Sequence, residues 1–127
     1  MPRFAGLLHA SLLIADVERS RAFYEGVLGL SPNPDRPELG FPGVWYDVGG
    51  GGQIHLLALS SPDPVAGRPE HGGRDRHTAL AVEDWEGLQT VLAAAGVPYT
   101  LSRSGRRALF CRDPDGNALE LVEISPA

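Results

Sequence analysis

Four side chains whose chemistry suits metal binding stand at repeated positions in this sequence. They are His9, His55, His77 and Glu120. Alternate residues of a strand point to one face, so His55 is expected beside Leu57 on an apolar face. Glu120 is expected beside Val122 in the same way. A carboxylate on such a face is costly unless it is paired or bound to a metal, and neutral histidine is the commonest side-chain metal ligand.

The ligand types limit the ion that such a site would hold. Imidazole nitrogen and carboxylate oxygen without thiolate suit Zn, Ni, Co, Mn or Fe(II). These ligand types do not distinguish among the five metals. Taken singly, a strand histidine is usually a core or surface residue, and Glu120 could accept hydrogen bonds from arginine or backbone donors. Three of the four histidines fall at repeat-matched strand positions, whereas His71 is expected to face solvent in a linker. We therefore expect at least three of the four residues to bind one divalent ion.

The elements that must position these residues occur twice along the chain. In the first half, residues 8–16 predict a strand that ends on an N-capping aspartate, followed by an amphipathic helix that ends at Gly29. In the second half, residues 76–84 predict a strand with the same ending, followed by a helix that ends at Gly96. A histidine stands seven residues before the capping aspartate in each half.

Each half then ends in a predicted β-hairpin. In the first half, predicted strands over 44–48 and 53–59 flank a run of four glycines. In the second half, predicted strands over 107–111 and 118–124 flank the sequence Asp-Pro-Asp-Gly-Asn. That sequence is a strong turn signal, because proline presets φ and glycine tolerates positive φ.

The repeat determines the expected fold class. Superposing the halves equates His9 with His77 and places the pair His55 and Glu120 at equivalent hairpin positions, so that the two pairs could converge on one ion. We expect an α+β fold in a single domain over 1–127, built from two units of strand, helix and several strands. The units cover roughly 4–59 and 76–125, and a linker rich in proline, glycine and charge covers 60–75.

Composition narrows the functional classes. The 127 residues allow one compact domain, and 43% apolar residues suffice for a core. The formal net charge is −5, which gives no overall attraction for nucleic acid or anionic membranes. No apolar run reaches the roughly 20 residues that span a bilayer. The single cysteine, Cys111, excludes an intramolecular disulfide, is expected to be a small buried strand residue, and suits a reducing, cytoplasmic location.

Simple hairpin registers place two aromatic residues beside the predicted ligands. Phe110 is expected next to Glu120, and Tyr46 next to His55, so both are expected to line a cleft that binds a small-molecule substrate. Arginines form one cluster in the linker and a second cluster, which includes Arg106, before the last hairpin. They could anchor an anionic substrate, with Arg106 as the candidate, or form a solvated surface or a subunit contact.

With these residues the sequence resembles the vicinal oxygen chelate superfamily, which includes glyoxalase I, bleomycin-resistance proteins and extradiol dioxygenases. The most specific match is the turn Asp-Pro-Asp-Gly-Asn at 113–117, followed by Leu119 and Glu120. The other matching segments lie at 9–16, 20–24, 27–30, 52–56, 77–82 and 94–97. Together the matches cover nearly the whole chain.

The resemblance implies paired βαβββ modules, each an open half-barrel, with a metal in the cleft between them. It implies metal ligands at His9, His55, His77 and Glu120, with Glu120 also the catalytic base that moves a proton between adjacent carbons of a hemithioacetal. It also implies homodimers, whose cleft can combine modules of two chains. The chain departs from the pattern at His55, where bacterial glyoxalase I enzymes have glutamate, and a neutral imidazole leaves the site one negative charge poorer.

Three functions are open on the sequence alone. The first is a metal-dependent lyase or isomerase of the glyoxalase I type, acting on vicinal oxygens such as those of a thiol adduct of a 2-oxoaldehyde. The second is another metalloenzyme of the superfamily, either a fosfomycin-type thiol transferase or an Fe(II) dioxygenase that uses His9, His77 and Glu120. The third is a metal-free protein that sequesters an aromatic antibiotic. The ligand set favours the first two, and the short chain disfavours the dioxygenase.

Overall fold

The computed structural model describes residues 1–125 and arranges them in two β-sheets with few helices. The strands are β1 (His9–Leu13), β2 (Gly43–Asp47), β3 (Gln53–Leu57), β4 (His77–Val82), β5 (Thr100–Leu101), β6 (Ala108–Arg112) and β7 (Ala118–Glu123). The helices are α1 (Val17–Arg21), which continues as a π-helical segment (Ala22–Val27), a 3₁₀ turn (Gly72–Arg74) and α2 (Trp85–Ala94).

Each half of the chain forms its own sheet. The first sheet has the order β1-β3-β2, with β1 parallel and β2 antiparallel to β3. The second sheet has the order β4-β7-β6-β5, with β4 parallel and β6 antiparallel to β7. Neither sheet closes into a barrel. The predicted α+β fold of two repeated open modules is confirmed.

The two modules differ in the strand that follows the helix. In the second module, β5 pairs with β6 over two residues. In the first module the corresponding pairing is a single bridge between Pro32 and Tyr46. Proline lacks the N–H that a ladder needs, and Pro34 follows two residues later, so a continuous strand cannot form there.

The predicted helix caps are present. Asp16 accepts a hydrogen bond from the backbone N–H of Arg19, and Asp84 accepts one from Gly87, both at 3.0 Å. Gly29 and Gly96 have φ values of +75° and +70°, the left-handed conformation that ends a helix and that favours glycine.

The second half of the first helix is π-helical rather than α-helical. The N–H of Leu28 donates to the carbonyl of Phe23, which is the wider i→i−5 spacing. The adjacent residues Phe23 and Tyr24 are both buried in this segment, at 6% and 0% exposure. The aromatic side chains of Tyr24 and Tyr46 then stack, with ring centroids 5.7 Å apart.

The Asp-Pro-Asp-Gly-Asn turn joins the two modules as well as closing the second hairpin. Tyr24 donates a 2.7 Å hydrogen bond to the buried Asp113, and Asn117 donates to the carbonyl of Leu13. Asp115 accepts from the backbone N–H of Ala15. Burial raises the pKa of Asp113, although hydrogen bonds from Asn117 and Tyr24 oppose the rise.

A hydrophobic core shared by both modules fills the space behind the sheets. Its buried members include Ile14, Tyr24, Ile54, Leu56, Trp85, Leu92, Leu109, Cys111, Leu119 and Leu121. Cys111 is a free thiol at 2% exposure, as predicted, and burial raises its pKa to about 12. Within residues 1–125, no helix has the length and apolar character needed to cross a bilayer.

Candidate metal centre

The second module brings two predicted ligands together. The parallel pairing of β4 with β7 places His77 opposite Ala118, so Glu120 lies two residues further along on the same face. His77 Nε2 is 3.3 Å from Glu120 Oε1. The Glu120 side chain is 6% exposed, whereas that of His77 is 28% exposed. A nearly buried carboxylate therefore lies against an imidazole that solvent can reach.

Hydrogen bonding fixes which nitrogen of His77 faces the carboxylate. His77 Nδ1 lies 2.9 Å from the carbonyl oxygen of Asp75, and a carbonyl only accepts, so Nδ1 carries a proton. In the neutral ring Nε2 is then bare and faces a carboxylate oxygen. Two facing acceptors require a cation between them, either a proton or a metal ion. Two ligand atoms about 2.0–2.1 Å from a tetrahedral zinc ion would lie about 3.3–3.4 Å apart, so the pair fits a divalent ion.

Arg106 supplies the second charge partner of Glu120. Its Nη2 atom lies 2.9 Å from Glu120 Oε2, and the arginine side chain is 60% exposed. Arg106 also lines a cavity of about 380 Å³ that reaches Glu120. The other residues around this cavity include Arg74, Arg103, Ser102 and Ser104. The cavity next to Glu120 thus carries three guanidinium groups and two hydroxyl groups, a set suited to an anion.

The linker covers Phe110, the neighbour of Glu120. Phe110 pairs with Glu120 across β6 and β7, so the predicted register of this hairpin is confirmed. A methyl group added at Gly72 or Gly73 would lie 3.1 Å from Phe110, which shows how closely the linker backbone passes. The rings of His71 and His77 both lie 5.1 Å from the Phe110 ring. His71 therefore does not simply face solvent as predicted, because it packs on Phe110 and accepts from the N–H of Gly73.

Charge pairs hold the linker in this position. Arg68 donates two hydrogen bonds to Asp75, and Arg112 of β6 donates a third to the same carboxylate at 2.8 Å. These arginines hold the pKa of Asp75 well below its usual range. Since the carbonyl of Asp75 also accepts from His77, the ion cluster fixes the backbone that orients a predicted ligand.

The first module brings its two predicted ligands together differently. His9 and His55 are stacked, with ring centroids 3.9 Å apart and an interplanar angle of 14°. The ring of Trp45 also stacks on that of His55, with centroids 4.1 Å apart and an interplanar angle of 4°. Burial lowers the pKa of His55, and the nearby charges of His9 and Arg36 act in the same direction. His55 is therefore an uncharged ring held between two aromatic faces.

The predicted position of Tyr46 is wrong by one residue. Tyr46 pairs with Ile54, and it is Trp45 that lies opposite His55. Tyr46 is at 0% exposure, donates to Glu25, and lies against Tyr24 in the core, so it cannot line the cleft. Five residues, 48–52, lie between Asp47 and Gln53 in place of the four glycines of the predicted turn, and this shifts the register by one residue.

The two ligand pairs do not meet within one chain. His9 contacts His55 and His77 contacts Glu120, but no three His, Cys, Asp or Glu residues among those described lie close enough to hold one ion. The prediction that these residues bind one ion does not specify whether they come from one chain or two. Among the described residues of one chain they form two separate pairs, on sheets that share no strand.

Both ligand-bearing faces are open at their edge strands. His9 and Ser11 on β1, and His77, Ala79 and Ala81 on β4, are exposed, whereas the alternating residues on the opposite face are partly buried. A groove of about 760 Å³ lies between these two strands. His9 and His77 on these edge strands are therefore accessible to solvent, whereas His55 and Glu120 lie deeper, at 8% and 5% exposure.

Fold and site together define a class of protein, one with two tandem open β-modules that each carry a histidine on the first strand and a second polar group on the last. The chain belongs to the Glyoxalase/Bleomycin resistance protein/Dioxygenase superfamily, whose family model matches residues 6–121. This confirms the resemblance stated from the sequence.

Individual relatives support the same assignment. The chain is 31% identical over 120 residues to glyoxylase I 4 of Arabidopsis thaliana, covering 91% of this chain and 68% of the relative. It is 30% identical over 128 residues to lactoylglutathione lyase of Haemophilus influenzae, covering 92% and 91%. The crystal structure of a glyoxalase family protein from Bacillus anthracis superposes with a TM-score of 0.78 at 24% identity, covering 97% and 98%.

Two contacts of the site were not predicted from the sequence. Trp45 lies opposite His55 as Phe110 lies opposite Glu120, and this equivalence depends on the register of the first hairpin. The contact between His71 and Phe110 gave no signal, since it joins a linker residue to a strand distant in sequence.

Proposed function

We propose that this protein is a divalent-metal lyase or isomerase of the glyoxalase I type, with each metal centre completed by two copies of the chain. The half-site His77 and Glu120 of one copy would meet the half-site His9 and His55 of the other. The observation that carries this proposal is that His77 Nε2 faces Glu120 at 3.3 Å while His77 Nδ1 donates to the carbonyl of Asp75. The exposure of His9 and His77 on the edge strands β1 and β4 supports the need for a second copy.

The chain's own residues would divide the chemistry between them. A bound divalent ion supplies Lewis acidity that polarises two vicinal oxygens of a substrate. Glu120 is the catalytic residue, which accepts a proton from one carbon and returns it to the adjacent carbon. The carbonyl of Asp75 holds the ring of His77 in place. Arg106 neutralises the charge of Glu120 until substrate enters.

The arginine-lined cavity suggests which substrates fit. Arg74, Arg103 and Arg106 surround the approach to Glu120. A substrate that carries a carboxylate, such as the glutathione adduct of a 2-oxoaldehyde, would place its negative charge there. Phe110 lines the same cavity beside Glu120 and would contact the apolar part of the substrate.

Metal analysis tests the ligand assignment. Protein purified without a histidine tag is expected to carry about one divalent ion per chain, and His77→Ala and Glu120→Ala are expected to lose it. His71→Ala is the matched control, because His71 packs on Phe110 near the site but is not assigned as a ligand. Full metal occupancy in both ligand variants would refute the assignment.

Mixing two defective variants tests the shared centre. One double variant carries His9→Ala and His55→Ala, and the other carries His77→Ala and Glu120→Ala. Each alone is expected to bind no metal, whereas dimers re-formed from the mixture should regain one intact centre. If each centre belonged to one chain, the mixture would stay empty, because both chains would be defective.

Activity assays then separate the metalloenzymes. Isomerisation of the methylglyoxal–glutathione adduct, tested with Zn, Ni, Co, Mn and Fe(II), is expected to depend on Glu120. Glu120→Gln should lose turnover, while Arg103→Gln should chiefly raise KM. Thiol addition to fosfomycin in place of isomerisation would assign the chain to the transferase alternative.

A second candidate function is binding of a planar aromatic compound without metal. It is favoured by the stack of Trp45, His55 and His9, which offers flat ring faces on the open side of the first sheet. Such a ligand would quench the fluorescence of Trp45 in metal-free protein. Loss of this quenching in Trp45→Phe, with no metal in the wild-type protein, would favour this function over the first.

A further inference from the structure

A chain of polar side chains runs across the first hairpin and ends at His55. Asn33 donates from Nδ2 to both carboxylate oxygens of Asp47, at 3.0 and 3.2 Å. Gln53, which pairs with Asp47 across the hairpin, donates from Nε2 to the Oδ1 atom of that carboxylate at 2.9 Å. The Oε1 atom of Gln53 then lies 2.8 Å from His55 Nε2. The backbone N–H of Asn33 donates to the carbonyl of Trp45, which anchors the start of the chain.

The chemistry of the groups sets the direction of each hydrogen bond. A carboxylate only accepts, so Gln53 must turn its NH₂ group towards Asp47. Its amide oxygen therefore faces His55, and an amide oxygen also only accepts. His55 Nε2 must then carry the proton. In the neutral ring, the lone pair is consequently on Nδ1.

The ring of His55 has no freedom to change this arrangement by turning over. The ring of Trp45 stacks on the His55 ring with centroids 4.1 Å apart, and the ring of His9 stacks on it with centroids 3.9 Å apart. Both rings are nearly parallel to that of His55. The amide oxygen of Gln53 accepts a hydrogen bond at the Nε2 edge of the His55 ring. The second module has the opposite arrangement, since His77 carries its proton on Nδ1 and leaves Nε2 bare.

We propose that Gln53, held by Asp47, is a positioning residue that fixes His55 in the Nε2–H tautomer and so makes Nδ1 its ligating atom. That Nδ1 binds a metal ion rests on the proposed metal centre, whereas the tautomer of His55 does not. A partner that accepts the ring N–H of a ligand histidine, on the nitrogen that does not bind the metal, typically contributes 10- to 100-fold in metal affinity.

Nitrogen NMR spectra of the metal-free protein test the tautomer directly. The His55 signals are assigned by their disappearance in His55→Gln. We expect Nε2 to resonate as a protonated nitrogen and Nδ1 as an unprotonated one. In Gln53→Leu the two signals should move towards the averaged positions of a mixed tautomer. In Gln89→Leu, a glutamine on α2 far from the hairpin, they should stay unchanged.

A charge-exchanged pair separates positioning from general disruption. In the double variant Gln53→Glu with Asp47→Asn, the new amide can donate to the new carboxylate, which still accepts from His55. We expect this variant to restore the Nε2–H tautomer. Zinc titration followed by calorimetry should show affinity about 10- to 100-fold weaker in Gln53→Leu and close to wild type in the double variant.

The outcomes distinguish this inference from the proposed function. An unprotonated Nε2 in the wild-type protein, or an unchanged tautomer in Gln53→Leu, would overturn the positioning role even if zinc binds. An Nε2–H tautomer that depends on Gln53, in a protein that binds no metal, would uphold the positioning role and refute the metal centre.

Discussion

Tyr24 of the first module donates a 2.7 Å hydrogen bond to Asp113 of the second, and both residues are buried. This contact joins the π-helical segment to the turn of the last hairpin, 89 residues away in the sequence. Asp113 accepts further hydrogen bonds from Asn117 and from the backbone N–H of Asp115. The module interface is thus organised around one buried carboxyl group that accepts hydrogen bonds from Tyr24, Asp115 and Asn117.

Removing the tyrosine hydroxyl should destabilise the fold. In Tyr24→Phe, Asp113 loses a donor while it stays buried, which is expected to lower the free energy of unfolding by about 1–3 kcal/mol. Urea denaturation measures the change. Tyr99→Phe is the control, because Tyr99 is only partly buried and its hydroxyl has a long 3.4 Å contact with Gln89. Equal stability of the two variants would show that the contact between modules is unimportant.

The Asp75 cluster should make stability depend on pH in the acid range. Arg68 and Arg112 lower the pKa of Asp75 below its ordinary value of 3.8. Such a carboxyl stabilises the fold fully above that value, and the stabilisation is lost progressively as the pH falls towards the folded-state pKa. Asp75→Asn should therefore be less stable at neutral pH and show a flatter stability profile below pH 5.

Urea denaturation across a pH series checks this prediction. Asp35→Asn serves as the control, since Asp35 is exposed in the loop before β2 and should leave the profile nearly unchanged. A profile for Asp75→Asn that remains parallel to that of the wild type would mean that other carboxyl groups control acid unfolding.

Two glycine substitutions should have opposite effects. A methyl group at Gly43 would clash with the carbonyl oxygen of Leu56, so Gly43→Ala should cost about 1–3 kcal/mol. Gly26 is helical with open space around it, and Gly26→Ala should stabilise the protein by about 0.4–1 kcal/mol. Thermal unfolding of both variants measures the difference, and a shift of the same sign in both would contradict it.

Arg106 should compete with a metal ion for Glu120. The arginine is 60% exposed, so its ion pair is worth no more than about 1 kcal/mol. Arg106→Gln should therefore bind zinc up to about five-fold more tightly, because the positive charge on the second oxygen of Glu120 no longer opposes a cation at the first. Arg103→Gln, which alters the same cavity without touching that pair, should leave zinc affinity unchanged. Weaker zinc binding in Arg106→Gln would instead give the arginine a supporting role.

Much of the architecture was predictable because it depends on local sequence. The capping residues Asp16 and Asp84 and the left-handed glycines Gly29 and Gly96 are all properties of short segments. The repeat then equated the halves. The pairing of Phe110 with Glu120 followed, because its hairpin has a well-defined turn.

The first hairpin and the linker were less predictable for physical reasons. A run of glycines accepts several turn lengths at similar energy. The sequence of the turn therefore does not determine the register that buries Tyr46 and places Trp45 against His55. The position of His71 depends on charge pairs among Arg68, Asp75 and Arg112, which come from separate segments.

The sequence by itself determined the family, the α+β class and the identities of the four candidate ligands, because these are encoded in residue types and in their spacing along strands. Only the tertiary structure decided how the ligands are grouped. It pairs His9 with His55 and His77 with Glu120, on two sheets that share no strand. The hydrogen bonds that His77 donates to the Asp75 carbonyl and that His55 donates to the Gln53 amide oxygen further select which nitrogen of each neutral ring has the lone pair. These contacts depend on distance in space, which the order of residues alone does not give.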